Sequence, residues 1–179
     1  MSEIYGPAED SYLLQECIKK FLKKRKINSV LDMGSGSGIQ AKTFIDLGID
    51  PRNITLADMN KKVIKNLKSK FPKSKIVQSN LFAKIRGEFG LIVFNPPYLP
   101  EDKFDKNQDT SGGKKGNEII IKFLMQAKKH LDKNGRILLL ISSFTPKINF
   151  SDLKYKKKIF ATKRLFFEEL SVLELVPLE

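Results

Sequence analysis

One cysteine, one histidine and no tryptophan in 179 residues remove several chemistries before any motif is considered. With Cys17 alone, no internal disulfide can form and no cysteine cluster can hold zinc, which fits a reducing compartment. His130 alone cannot supply a multi-histidine centre, so no metal is expected. No apolar run approaches the roughly twenty residues that span a bilayer. The opening MSEIYGPAEDS carries acids where a secretory leader would carry a basic stretch before an apolar one. A cytoplasmic protein without membrane contact is expected. Acids are scarce too: 20 Asp and Glu stand against 33 Lys and Arg, a net charge of +13. Such a field attracts anions, nucleic acid and ribosomes included. The lysines of KKFLKKRK, KKVIKNLKSKFPKSK and KYKKK are interspersed with apolar residues, and they read first as solvated outer faces.

What is present is a regular alternation. Leu13, Leu14, Cys17, Ile18, Phe21 and Leu22 recur at steps of three and four and predict a helix over 8–25. SVLDMG is a short strand entering a glycine-rich turn, and the helix after it, from Ser37 to Leu47, closes at Gly48. ITLAD is a second strand. A helix over 60–71 follows, with Asn60 as its N-cap and Pro72 as its stop. KIVQS and GLIVFN are the third and fourth strands. The polar interval from Pro96 to Gly116 is long enough to be a functional loop. A helix from about Asn117 carries Ile120, Phe123, Leu124, Ala127 and Leu131 on one face and is expected to end at Lys133-Asn134-Gly135. RILLLIS is the fifth strand, and KKIFATKRLF and ELSVLELV pair as an antiparallel hairpin. The pattern implies one α/β domain over 1–179, a mostly parallel sheet with helices on both faces.

Chemistry gathers at the ends of these strands. LDMGSGSG places Asp32, Gly34, Gly36 and Gly38 where a strand turns into a helix, so that a ligand can approach the backbone. The spacing is not that of the nicotinamide fingerprint, because Ile39 stands where its third glycine would fall. Asp58 closes the next strand, where an acid can accept both ribose hydroxyls of a nucleoside. Asn80-Leu81 follows the third strand and offers a side-chain amide and a backbone N–H to an adenine edge. FNPPYLP ends the fourth strand: each proline removes a backbone donor, so the chain must leave the sheet at Asn95, at the carboxyl end where open α/β sheets bind ligands.

Together these features resemble the class I S-adenosylmethionine-dependent methyltransferases over nearly the whole chain. The resemblance implies a Rossmann-like fold with a seven-stranded, mostly parallel sheet, and S-adenosylmethionine as cofactor with S-adenosylhomocysteine as product. The cofactor-binding set it implies comprises Asp32, Gly34, Ser35, Gly36, Gly38, Asp58, Met59, Asn60, Asn80, Leu81 and Asn95. The NPPY step, Asn95, Pro96, Pro97 and Tyr98, resembles the catalytic motif of enzymes that methylate planar nitrogens. In that reading the Asn95 side-chain oxygen and the Pro96 carbonyl each accept one hydrogen of the acceptor NH2. Tyr98 packs on the planar group.

IYGPAEDSYLL and SGGKKGNEII are similar to segments of the HemK, or release-factor glutamine methyltransferase, family in its stand-alone archaeal and eukaryotic form. That similarity implies that residues 1–25 close over the cofactor, with Tyr5, Pro7, Glu9 and Ser11 in the site, and that 96–116 is the substrate loop. It implies as substrate the glutamine of the Gly-Gly-Gln tip of a translation termination factor, and a small zinc-binding activator protein as a partner. FTPKINFSDLKYKKK is too short for the helix such a fold carries after the fifth strand, so one face of the sheet should be thinly covered. Two rivals stay open: a nucleic-acid adenine or guanine N-methyltransferase, and a non-catalytic cofactor-binding scaffold.

Overall fold

The computed structural model of the chain describes residues 6–97 and 116–178. Its strands form where short apolar runs are too brief for helices: β1 (Val30–Met33), β2 (Ile54–Asp58), β3 (Lys75–Gln78), β4 (Phe89–Phe94), β5 (Leu131–Ser142), β6 (Tyr155–Arg164) and β7 (Glu169–Pro177). They make one seven-stranded sheet in the order β3-β2-β1-β4-β5-β7-β6. β1 to β5 run parallel, while β7 is antiparallel to both β5 and β6. The chain winds outward from β1 to β3, then returns to the middle and winds the other way from β4. The crevice between the carboxyl ends of β1 and β4 is therefore the topological switch point.

The helices are α1 (Glu9–Leu22), α2 (Ile39–Asp46), α3 (Lys61–Lys70) and α4 (Glu118–Ala127). α3 starts as its sequence suggests, with the Asn60 side chain accepting from the Lys62 N–H at 2.9 Å. Side chains alternate across the sheet, so β1 sends Val30 one way and Leu31 and Met33 the other. Val30, Leu56, Leu91, Val93, Leu138 and Val172 pack against α1, α2 and α3 through Leu14, Ile18, Phe21, Phe44 and Leu67. Among the described residues the opposite face has one helix. There Leu31, Ile92, Phe94, Leu139 and Leu173 meet Ile120, Phe123, Leu124 and Ala127 of α4. Phe82, Ile85, Ile148 and Phe150, from connecting segments, fill the rest of that layer. Tyr155, buried at 1% exposure, pins the layer by donating its hydroxyl to the Leu124 carbonyl at 2.9 Å. Each fully buried Leu, Ile or Phe contributes roughly 1.5–3 kcal/mol, so both cores matter although their cover is unequal.

The expectation for the fourth helix needs correction. α4 ends at Ala127, one 3-10 turn covers Lys128–His130, and Leu131 already belongs to β5. Lys133-Asn134-Gly135 lies inside that strand, where the β4–β5 register shifts between the Phe89↔Leu131 and Leu91↔Arg136 pairs. A Cβ on Gly135 would sit 2.8 Å from the Phe89 carbonyl oxygen, so the glycine permits a bulge and does not stop a helix. Among the described residues no helix is long and apolar enough to cross a membrane, and no cluster of His, Cys, Asp and Glu is arranged to hold a metal ion.

Candidate cofactor and acceptor site

A cavity of about 430 Å³ opens at the switch point, walled by the ends of β1, β2 and β4, the segment after β3 and the first turn of α1. Its floor is the glycine turn. Gly34 and Gly36 take φ values of +64° and +49°, a region that side chains other than glycine rarely enter. A Cβ on Gly34 would come within 3.3 Å of the Phe94 ring. The turn is laced to its neighbours: the Ser35 N–H donates to the Ala57 carbonyl at 3.1 Å, and the Gly38 N–H to that of Ser35 at 2.8 Å. The Ser35 hydroxyl donates to the Asp32 carbonyl at 2.8 Å, so this residue braces the floor.

Gly38 stands apart from the other two glycines. It lies outside the cavity wall, has φ +83°, and a Cβ there would meet the Phe71 ring at 2.4 Å and Leu67 at 3.0 Å. Its missing side chain lets α3 and its end close on the start of α2.

Asp58 is held by both oxygens, accepting from the Gly36 N–H at 3.1 Å and the Asn60 N–H at 2.9 Å. These bonds fix the carboxylate in rotation, as reception of a vicinal diol requires. Met59 lines the cavity beside it, whereas Asn60 is occupied in capping α3 and does not. On the far side Asn80 is exposed in the wall. Leu81 adopts φ +46°, uncommon for a non-glycine residue. Ser79 holds it there by donating its hydroxyl to the Leu81 carbonyl at 2.7 Å. Val63, Leu81 and Ile119 give this end an apolar lining suited to a planar base.

Asp32 sits below, 3% exposed. Burial pushes its carboxyl up to about 8, the Asp58 carboxylate adds to the rise, and the Ser35 hydroxyl opposes it. Asp32 and Asp58 bring two acids to one wall of the cavity, a place where positive charge is favoured.

Another part of the wall is built on Asn95, which leaves β4 half-buried with Pro96 and Pro97 beside it. Its Nδ2 donates to Asp10 Oδ2 at 2.9 Å. A carboxylate can only accept, so Asn95 must turn its NH2 to Asp10, and its Oδ1 is left buried without a partner. Asp10 is absent from the sequence-based set, which contains its neighbours. Glu9 instead points outward and pairs with Lys163, and the exposed Pro7 is not in the wall. Ser11 does line the cavity, and its carbonyl accepts from Gln40 Nε2 at 2.9 Å. Gln40 was also unforeseen. A signal existed for Asp10: it shares the apolar stripe of Leu14, Cys17 and Phe21 at helical spacing. Tyr5 and Tyr98 lie outside the described residues, as does most of the 96–116 loop.

Five buried side-chain atoms among the described residues lack a hydrogen-bond partner, and those in the cavity wall are Asp32 Oδ2, Gln40 Oε1 and Asn95 Oδ1. All three are oxygens. The wall therefore matches a ligand rich in donors and positive charge, which S-adenosylmethionine is, with its ammonium, sulfonium, diol and adenine amine.

Comparison with known proteins agrees with this chemistry. The family model described as "Methyltransferase small domain" matches residues 10–164. A Methanocaldococcus jannaschii protein, whose name ascribes to it protein glutamine N5-methylation, is 36% identical, covering 96% of this chain and 90% of its own. A release factor glutamine methyltransferase of Borreliella burgdorferi is 29% identical, over 83% of this chain and 59% of that one. A ribosomal RNA small subunit methyltransferase C of Haemophilus ducreyi is 26% identical, over 82% of this chain and 42% of that one. Among solved structures, the E. cuniculi Mtq2–Trm112 complex, described as responsible for methylation of the eRF1 translation termination factor, shares the fold at TM-score 0.75 and 20% identity, covering 98% of both chains.

Proposed function

We propose that this chain, which belongs to the methyltransferase small domain family, methylates the side-chain amide nitrogen of a glutamine in the Gly-Gly-Gln motif of a translation termination factor. S-adenosylmethionine is the methyl donor and, when bound, supplies an electrophilic methyl group on a cationic sulfur. The observation that carries the acceptor assignment is the fixed orientation of Asn95, with its NH2 on Asp10 and its buried oxygen in the cavity wall. An amide nitrogen is a poor nucleophile because its lone pair is delocalised into the carbonyl. Asn95 Oδ1 can accept one of its hydrogens and the Pro96 carbonyl the other, which holds the nitrogen in place and stabilises the positive charge that grows on it. Asp32 and Asp58 anchor the cofactor end, while Gly34 and Gly36 let it lie against the backbone. No histidine or cysteine lines the cavity among the described residues, and none is needed. The nitrogen becomes acidic as its new bond forms, and a proton leaves to water.

The names of the M. jannaschii and B. burgdorferi relatives support glutamine as the acceptor. A small zinc-binding activator belongs to the same proposal, supported by the Trm112 partner of the E. cuniculi protein. The rival supported by the H. ducreyi relative is methylation of a nucleobase amine. Radiolabelled cofactor offered with a termination factor, its Gln-to-Ala variant and bulk RNA separates the two. Label on the parent factor and not on its variant is expected; label on RNA alone refutes the glutamine assignment. With the free factor, activity should fall gently with salt, whereas a steep log–log decline marks a polyanion.

A further inference from the structure

The antiparallel pairing of β7 with β5 sets Ser142 opposite Leu170. The turn between β6 and β7 therefore stands at the end of the sheet where β1, β4 and β5 finish, the same end as Asn95. That turn carries Phe166 and Phe167, exposed at 100% and 91%, and Phe144 follows the end of β5 at 49%. The turn does not need these aromatics to form. The Leu165 N–H donates to the Glu168 carbonyl at 2.7 Å and closes it. Its base is tied to the end of β5: the Ser143 N–H donates to the Glu169 carbonyl at 2.8 Å, and the Ser142 hydroxyl donates to Glu168 Oε1 at 2.5 Å. Two bare phenylalanines thus stand on a braced platform, and exposed apolar groups displayed this way mark contact sites.

The position suits a macromolecule already engaged at the acceptor site. β7 lies two strands from β4, roughly 10 Å sideways at ordinary strand spacing. Its first residues stand beyond Asn95 along the strand direction, because Phe94 is level with Leu139 and Leu170 with Ser142. Lys163, just below the tip, pairs with Glu9 at the start of α1, whose next residue holds Asn95. The turn itself, Leu165 to Glu168, carries an acid and no cation, so it presents aromatic surface and not a phosphate contact, and Lys163 and Arg164 below it are ion-paired with Glu9 and Glu169. Two side chains are also far too little area for a self-standing interface, which needs about 800 Å² per partner. They fit an auxiliary contact beside one made elsewhere.

We propose that Phe166 and Phe167, backed by Phe144, form an aromatic docking tip for an apolar patch on the folded protein that carries the acceptor glutamine. This rests on the glutamine reading above. The test compares the parent with the Phe166→Ser/Phe167→Ser double variant, alone and with the small activator, on an intact termination factor and on a short peptide containing Gly-Gly-Gln. For the intact factor KM should rise tenfold or more, with kcat within twofold. Activity on the peptide, cofactor affinity and thermal midpoint should not change, and Phe166→Leu/Phe167→Leu should recover most of the loss. A variant indistinguishable from the parent on the factor overturns the docking tip alone. So does an equal loss on factor and peptide, or a parent dimer that the substitution dissociates. A parent that methylates neither acceptor overturns the glutamine reading and this proposal with it.

Discussion

Asp10 should act on catalysis only through Asn95. In the parent, turning the Asn95 amide over would set its oxygen against the Asp10 carboxylate and lose a hydrogen bond of 2.9 Å to a charged acceptor, worth about 1.5–3 kcal/mol. The wrong orientation is thereby held below roughly one part in ten. Asp10→Ala removes that bias, leaves Nδ2 without its acceptor, and lets the amide turn over and shift. Turning over alone costs about twofold, because the two orientations become comparably populated; the shift adds to it, under a ceiling of roughly a hundredfold for removing an oriented transition-state acceptor outright, so single-turnover methyl transfer should fall by more than about twofold and less than about a hundredfold. Because Asp10 also lines the cavity, cofactor affinity is measured alongside by calorimetry and should change by less than about threefold, the size of a loss that leaves the main anchors intact. The decisive comparison is the double-mutant cycle. In an Asn95→Ala background, where no amide remains to orient, adding Asp10→Ala should have almost no further effect. Multiplying losses, or an Asp10→Ala enzyme as fast as the parent, would refute the reasoning.

Asn95→Asp would set two carboxyl groups against each other, forcing them to share a proton. The protonated variant can still donate to Asp10 and present an oxygen to the cavity, so its activity should exceed that of Asn95→Ala at low pH and decline as pH rises, which a pH–rate profile reads directly. Asp58→Ala should weaken S-adenosylmethionine by about 2–4 kcal/mol, the scale of charge-assisted hydrogen bonds in a shielded site; unchanged affinity by calorimetry would remove Asp58 from the site. Asp32 titrates near 8 in the folded chain because of burial and the nearby Asp58, well above its ordinary value of 3.8. The cofactor-free fold therefore retains a proton that the unfolded chain has lost, and its stability should decrease as pH rises from about 4 to about 8. Asp32→Asn should flatten that dependence in thermal denaturation, and a cofactor affinity that rises from pH 6 to 7.5 in the parent should flatten with it.

The alternation of short apolar runs with amphipathic stretches was enough to read the parallel sheet, and the ends of β1, β2 and β4 are marked locally by a glycine, an acid and a proline. Asp58 was legible for the same reason. Its position at the last residue of a strand decides its direction, and no distant contact is needed. For Asp10 the sequence holds half of the answer: one residue along a helix is a rotation of about 100°, so the stripe of Leu14, Cys17 and Phe21 turns Asp10 inward and Glu9 outward, but only the docking of α1 on the sheet decides that this inward end meets Asn95. Gly38 shows the converse error of grouping by pattern: the third glycine of the run serves α3 packing, which spacing alone cannot reveal. The end of α4 was misjudged because pairing of Leu131 with Phe89 outweighs the local helical spacing.

The unequal cover of the sheet determines which half of the molecule opens first. Where α1, α2 and α3 share one face, lifting any one of them leaves two in place. On the other face α4 has no helical neighbour among the described residues, and its loss would bare the part of the layer it covers at Phe94 and Leu139. Partial unfolding should therefore run through α4 and the 148–153 segment, linked by the Tyr155 hydroxyl, as a cooperative unit of lower free energy than the remainder. α4 begins two residues after the described chain resumes at residue 116. Amide hydrogens of α4 should then exchange ahead of those in α1 to α3, and a ligand seated in the cavity, whose wall includes Ile119 and Lys122 of α4, should slow them, so the hydrogen-exchange pattern of this one helix would report occupancy of the site from the back of the sheet.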